Sequence, residues 1–172
     1  MSEDASGTAA APLTPPPHGF AAHFRVRHHE MDALGHVNNA VYLNYLEQAG
    51  IEHSAALGYA GERLRELGGL FIARRHEIDY LRPAIAGDCL VVTTWIAEQR
   101  GAQAVREYLI ARLDKPEGAL PADRFLAPGF PLPEAPLVRA RTHWVWVGVA
   151  DGRPRKPPPE LRAAFQRPTI PG

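Results

Sequence analysis

Only one stretch of this chain repeats its apolar residues at helical spacing over several turns, and every long patterned run after it reads as strand. From about Asn39 to Leu57, the residues Tyr42, Tyr45, Leu46, Ala49, His53, Ala56 and Leu57 fall on one face. Gly58 follows, where a left-handed C-terminal cap is wanted. Four strand-like runs come next: Leu70–Leu81, Cys89–Glu98, Ala102–Leu113 and Leu137–Val149. Pro83 stops the first, because it has no N–H to extend a ladder, and Gly101 marks a tight turn between the second and third. In the fourth, Arg139, Arg141 and His143 alternate with Ala140, Thr142 and Trp144. A shorter strand over about Ala22–His28, with Phe24 and Val26 on one face, precedes the helix. One helix followed by long, turn-linked strands predicts an α+β fold with an antiparallel sheet.

The 172 residues suit one folded domain, taken as residues 20–172. Residues 1–19 are mostly Ala, Ser, Thr, Pro and Gly, too poor in apolar surface to offset their ordering entropy, and are expected to be disordered. A proline-rich insertion, 114–136, carries Phe125, Leu126 and Phe130; it reads either as a hairpin extension or as a flap over a pocket. Short helices are expected over Glu62–Leu67 and Glu160–Phe165. Formal charge is zero at neutral pH, so no overall field recruits nucleic acid or an anionic membrane. The lone Cys89 excludes an internal disulfide framework and suits a reducing cytoplasm. No apolar run approaches the ~20 residues of a membrane span. The N-terminus has acids where a signal peptide would be basic and then apolar.

Chemistry concentrates in Glu30–Glu47, E-M-D-A-L-G-H-V-N-N-A-V-Y-L-N-Y-L-E. The run sets an acid, a glycine turn, a histidine and two asparagines against the start of the helix. A helix N-terminus presents unpaired N–H groups and the positive end of its dipole, which suits a developing oxyanion. Asp32 stands just upstream, placed to act as base or nucleophile, or simply to cap a turn. Glu47, on the flank of the helix, is a second candidate acid, with a structural hydrogen bond or subunit contact as its alternative. His28, His29, Glu30, Asp32 and His36 match no metal-site spacing, and adjacent histidines on a strand point to opposite faces, so no metal is expected. His53 reads as a core histidine.

The pattern D-x-x-G-H-V-N-N-x-x-Y, with E-I-D-Y-L-R-P-A-I-A-G-D at Glu77–Asp88 and the D-G-R-P-R-K-P-P tail, resembles the single-domain hotdog-fold acyl-CoA thioesterases of the 4-hydroxybenzoyl-CoA thioesterase type. The resemblance implies a curved antiparallel sheet wrapped around one central helix, hydrolysis of an acyl-CoA thioester, no cofactor, and a homodimer or homotetramer with its site between subunits. It implies catalytic roles for Asp32, for the backbone N–H of Asn39 as oxyanion donor, and for His36 and Glu47. Gly35, Val37, Asn38 and Tyr42 are the implied substrate-binding set, and Tyr45 and Phe71 are further candidates to line a pocket for a medium to long aliphatic or an aromatic acyl group. Plant acyl-carrier-protein thioesterases share the H-V-N-N run and use its histidine, but carry an asparagine two residues after the acid, where this chain has Leu34. The family also usually follows its helix glutamate with A-R; here Ala49 precedes Gly50. Arg74, Arg75, Arg82, Arg100, Arg139 and Arg141 are candidate partners for coenzyme A phosphates. Two other functions fit the same fold: a non-catalytic acyl-binding or scaffolding protein, and an enoyl-CoA hydratase. The second lacks support, since the D-x-N-P-x-H pattern of those enzymes is absent.

Overall fold

The computed structural model describes residue 16 and residues 18–114, 119–127, 130 and 135–166. In chain order they form β1 (Phe20–Arg25), a 3-10 turn (His28–Glu30), α1 (Asn39–Ala56), α2 (Gly61–Glu66), β2 (Gly69–Tyr80), β3 (Cys89–Arg100), β4 (Gln103–Leu113), β5 (Arg124–Phe125), β6 (Val138–Gly148) and α3 (Pro159–Ala164). Six strands make one sheet in the order β2-β6-β4-β3-β1-β5, with every pairing antiparallel. The sheet wraps α1: Tyr42, Tyr45, Leu46 and Ala49 of the helix share one core cluster with Phe20, Ala22, Leu90, Val92, Tyr108, Ile110, Val138 and Ala140 from four strands. This is the α+β hotdog arrangement the motif resemblance implied.

Local chemistry accounts for the helix ends. Asn38 is the N-cap, its side chain accepting from the Ala40 N–H at 2.9 Å. At the other end Gly58, at φ +82°, permits paired bonds from its own N–H to Ala55 and from Tyr59 to Ser54, the pattern that closes a helix through a left-handed residue. Of the expected apolar face, Tyr42, Tyr45, Leu46, Ala49 and His53 are buried; Ala56 is exposed, because the helix runs past the edge of the sheet's cover by then. Gly101, at φ +60°, holds the first central position of the two-residue turn joining β3 to β4, where a mirror-type hairpin turn demands it.

The first strand differs from its expected limits. It starts at Phe20, whose ring is buried, and pairs with β3 as far as Arg25. Beyond that, the Arg27 N–H bonds to Glu30 Oε2 at 2.6 Å and turns the chain into the 3-10 segment, so His28 is not in a strand. The expected disorder of 1–19 falls mainly on residues 1–15 and 17, outside the described residues. Within the insertion, Arg124–Phe125 adds a two-residue strand to β1, and Leu126 is buried against Gly19 and the face of the sheet away from α1. The described part of 114–136 therefore covers the β1 edge, with the Phe125 ring edge-on to Phe20 and His53 on the side that carries α1. The opposite edge is β2, and it carries exposed Ile72 and Tyr80, with exposed Leu81 just past its end. Among the described residues no helix is long and apolar enough to cross a membrane.

Candidate active site

Asp32 opens a tight loop whose bonds are nearly all internal. Its N–H donates to His36 O at 2.7 Å, the Gly35 N–H returns to Asp32 O at 3.1 Å, and the Asn38 N–H reaches Glu30 O at 2.9 Å. Met31 and Val37 form a one-pair antiparallel bridge beneath this turn. Gly35 sits at φ +77°, which explains the glycine at that position. The Asp32 carboxylate joins in through one oxygen only: Oδ1 accepts from the Leu34 N–H at 2.8 Å and the His36 N–H at 3.2 Å. Among the described residues Oδ2 has no donor, so one oxygen orients the group and the other is available for chemistry.

Two residues past that ribbon α1 begins. Asn39 is its first residue, and among the described residues no acceptor meets the Asn39 N–H. Capping belongs to Asn38. The Tyr80 hydroxyl donates to Asn39 O at 2.9 Å, tying the far end of β2 to the first turn of the helix. Behind the loop, the Val37 N–H bonds to Ala84 O at 2.9 Å, and the Tyr42 hydroxyl accepts from the Ala84 N–H at 3.1 Å. The Tyr45 hydroxyl donates to Glu30 Oε2 at 2.7 Å, and burial first, then that carboxylate, pushes its pKa well up.

Several expected site residues stand elsewhere than the motif alone implies. Val37 and Tyr42 are 2% exposed: packing has turned both side chains into the core that holds the loop. Tyr45 is likewise a core residue; it borders a wide cleft of about 920 Å³ with Phe24, His28 and Glu30, and lines no part of a second cavity at the other half of the helix. Gly35, Asn38 and His36 are exposed, and among the described residues the His36 ring has no hydrogen bond; the loop is stabilised by its backbone groups instead. Glu47, the candidate acid on the flank of the helix, is not buried. It is exposed, because it projects from the helix at the rim of that second cavity rather than against the sheet.

That cavity, about 280 Å³, lies beside the C-terminal half of α1. Its wall takes Glu47, Gly50 and Ser54 from α1, Leu64 from α2, Leu70 and Phe71 from β2, Ile96 from β3, Arg106 from β4, Trp144 from β6 and Leu161 from α3. Arg106 is only 5% exposed. Its Nη1 donates to His53 Nδ1 at 2.9 Å and to Thr94 Oγ1 at 3.3 Å, and the guanidinium carbon stands 5.5 Å from the centre of the Phe165 ring. His53, fully buried and stacked on Phe20, accepts that bond and is therefore neutral; burial first, then the Arg106 charge, lowers its pKa to about 2. This bears out its reading as a core histidine.

Arg106 was not among the sequence candidates, yet parity held a signal. It shares a face of β4 with Ala104, Tyr108 and Ile110, all core residues, so an alternation count places a charge inside. Of the arginines that were candidates, Arg141 pairs with Glu107, while Arg74 and Arg75 border a shallow pocket with His143 near the β2 edge. Among the described residues no group of three or more His, Cys, Asp or Glu side chains could hold a metal ion.

Comparison with known proteins bears on this geometry. The family model of the thioesterase-like superfamily matches residues 26–165. The chain is 30% identical over 105 residues to the long-chain acyl-CoA thioesterase FadM of Escherichia coli, covering 59% of this chain and 75% of that one. It is 34% identical over 95 residues to the acyl-CoA thioesterase YbgC of Haemophilus influenzae, covering 55% and 70%. Among solved structures, a thioesterase complexed with coenzyme A and zinc from Thermus thermophilus superposes with a TM-score of 0.64 at 26% identity, over 86% of this chain and 91% of the other. A 1,4-dihydroxy-2-naphthoyl-CoA thioesterase from Synechocystis gives 0.68 at 19%, over 86% and 96%.

Proposed function

The chain belongs to the thioesterase-like superfamily, and we propose from that premise that it hydrolyses acyl-CoA thioesters with Asp32 and the Asn39 N–H as its working pair. One observation carries the assignment: at the start of α1 an N–H that meets no acceptor among the described residues adjoins a loop that leaves one Asp32 carboxylate oxygen without a donor among them. The carbonyl oxygen of the thioester sits at the Asn39 N–H, where the helix dipole favours the charge that develops. Asp32 takes a proton from water, or attacks the carbonyl carbon to give an anhydride that water then opens. By either route a C–O bond forms, the C–S bond breaks, and the thiolate leaves with the proton released from water. His36, exposed beside Asp32, orients the substrate end of this loop. A free thiol at Cys89 suits the cytoplasm.

The active unit is a homodimer built on the β2 edge, alone or within a tetramer. β2 leaves its outer ladder unpaired among the described residues and carries apolar side chains there, an edge that a symmetric copy covers well. Twofold pairing of one strand with itself is antiparallel. The Tyr80 end of β2 is tied to Asn39, and the Phe71 end lines the cavity. Such pairing therefore turns each oxyanion donor towards the cavity of the partner subunit, with Glu47 at its rim as the proton carrier for the leaving thiolate. Within one chain, by contrast, Asn39 and Gly50 are separated by ~16 Å of helix.

The test is hydrolysis of a panel of acyl-CoAs, read as release of free thiol, by wild type and Asp32→Asn. The variant keeps the turn and loses basicity, so turnover falls at least ~10²-fold while the melting temperature holds. Near-normal hydrolysis by a folded Asp32→Asn protein removes Asp32 from the mechanism. No hydrolysis of any ester by wild type leaves the acyl-binding alternative.

A further inference from the structure

The cavity beside α1 is mostly apolar, yet its wall holds a cation with no anion paired to it among the described residues. Two donors of Arg106 are used, on a neutral imidazole and a hydroxyl. Among the described residues the rest of the guanidinium meets no acceptor, and no carboxylate comes within ion-pair distance of it. Glu47 shares the cavity wall but stands exposed at the rim and forms no ion pair with it. Burial accordingly holds the pKa of Arg106 below its ordinary value, with Tyr108 as the only group opposing. A buried, unpaired guanidinium is costly, and proteins usually neutralise one internally.

Its surroundings are short of acceptors too. The Tyr108 hydroxyl and the Trp144 indole N–H, close to each other and to Thr142, make no hydrogen bond of good geometry among the described residues, and His53 Nε2 is buried without a partner there. The first two lie on the same side of the sheet as Arg106. A side chain at Gly50 would put its Cβ 3.6 Å from Arg106 Nε and 3.7 Å from the Tyr108 hydroxyl; glycine leaves that approach open. A guanidinium with donors to spare on the wall of a mostly apolar slot calls for a ligand that brings acceptors only. An ionised carboxylate is such a group, and a guanidinium binds it through two parallel bonds.

We propose that this cavity takes the far end of an acyl chain ending in a carboxylate, so that the substrates are monothioesters of dicarboxylic acids. The proposal rests on the thioesterase reading above and narrows its substrate class. Phe71, Ile96, Leu161 and Trp144 line the methylene chain, and Arg106 receives the ω-carboxylate. The phosphates of coenzyme A are the wrong occupant: a deep, mainly apolar slot suits the acyl end, and phosphates stay at the surface.

The test uses ester pairs matched in carbon number, adipoyl-CoA with hexanoyl-CoA and suberoyl-CoA with octanoyl-CoA. Wild type is expected to favour at least one dicarboxylic ester by about 10-fold or more in kcat/KM, since a site built around a buried polar group discriminates against ligands lacking its partner. Arg106→Met should erase that ratio and Arg106→Lys should keep part of it. Gly50→Asp supplies a carboxylate beside the guanidinium in place of the ligand's, and should erase the ratio with Arg106 still present, which keeps the test sound if Arg106→Met fails to fold. An unchanged ratio in the variants, or equal losses for both members of each pair, overturns the proposal. Binding of free suberate against octanoate, followed by calorimetry and by the Trp144 indole N–H resonance, judges the cavity without catalysis. If wild type hydrolyses no thioester, the thioesterase reading fails; suberate binding that disappears in Gly50→Asp still supports the carboxylate site, and no suberate binding rejects it.

Discussion

The two halves of α1 serve the proposed chemistry in opposite ways. At its N-terminal end the working groups come from one short run of chain, Asp32 to Asn39, and are held by backbone hydrogen bonds at the surface. At the C-terminal half the cavity is assembled from α1, α2, α3 and four strands, and its charged residue is buried by packing. The first end is a local structure that tolerates side-chain change; the second exists only when distant segments meet. Substitutions should therefore separate into those that alter chemistry without stability and those that do the reverse.

The largest stability effect belongs to the cavity end. Leu161 is fully buried, lines the cavity, and anchors the six-residue α3 on Trp146 and Ile96. Leu161→Ala should cost about 2–5 kcal/mol by lost transfer energy and the void left behind. Denaturant melts check it. A loss under ~0.5 kcal/mol, the range of an ordinary surface change, would mean that α3 is not part of the cavity's wall and the contrast between the ends fails.

Next in size is a pH effect confined to the same end. The folded-state pKa of His53 is lowered to about 2 from an ordinary 6.5. The unfolded chain takes up a proton below 6.5 that the folded chain refuses, so unfolding gains as pH falls. The contribution to stability is whole above about 6.5 and declines on acidification, by about 1.4 kcal/mol per pH unit. Between pH 6.5 and 5, wild type should thus lose about 2 kcal/mol more than His53→Gln, in paired urea titrations. Parallel slopes for the two proteins would show that the imidazole is protonated in the folded state and that Arg106 has some other partner.

The same division governs what the sequence disclosed. α1 and the strand ends were legible because their determinants are local: a cap at Asn38, left-handed glycines at Gly58 and Gly101, a stop at Pro83. The Asp32–Asn39 loop was legible for the same reason, since the bonds that shape its turn span a few residues, although Ala84 and Tyr80 tie it down from far along the chain. Arg106 was not, because a strand arginine is usually at the surface, and β4 is covered on both faces; its neighbour Glu107, equally buried, points the other way to meet Arg141. The strand Arg124–Phe125 was hidden among prolines, since its pairing with β1 joins segments about a hundred residues apart. Gly50 is the most instructive case. The family resemblance marked a missing helix arginine there, and the sheet sends a guanidinium to within 3.6 Å of the same spot.

At the motif end, stability changes should be modest and traceable to one bond. Asn38, not Asn39, caps the helix, so Asn38→Ala should cost about 1 kcal/mol through the lost bond to the Ala40 N–H. Equal melting curves for Asn38→Ala and wild type would place the helix's start elsewhere.

The smallest effect is the most discriminating. Asn39→Ala removes an exposed side chain from the first position of α1 and leaves the N–H that is proposed to hold the oxyanion. Capping is untouched, because it comes from Asn38, and the bond from Tyr80 goes to the Asn39 carbonyl, which alanine retains. Stability should move by less than ~0.5 kcal/mol, as for an ordinary surface change, and kcat should stay within about threefold of wild type, against the ~10²–10³ lost when an oxyanion donor is itself removed. Assayed beside Asp32→Asn on one acyl-CoA, this variant distinguishes a donor made of backbone from one made of side chain. A hundredfold fall in Asn39→Ala with an intact melting curve would assign the work to the carboxamide, and the start of α1 would cease to be a site that tolerates change.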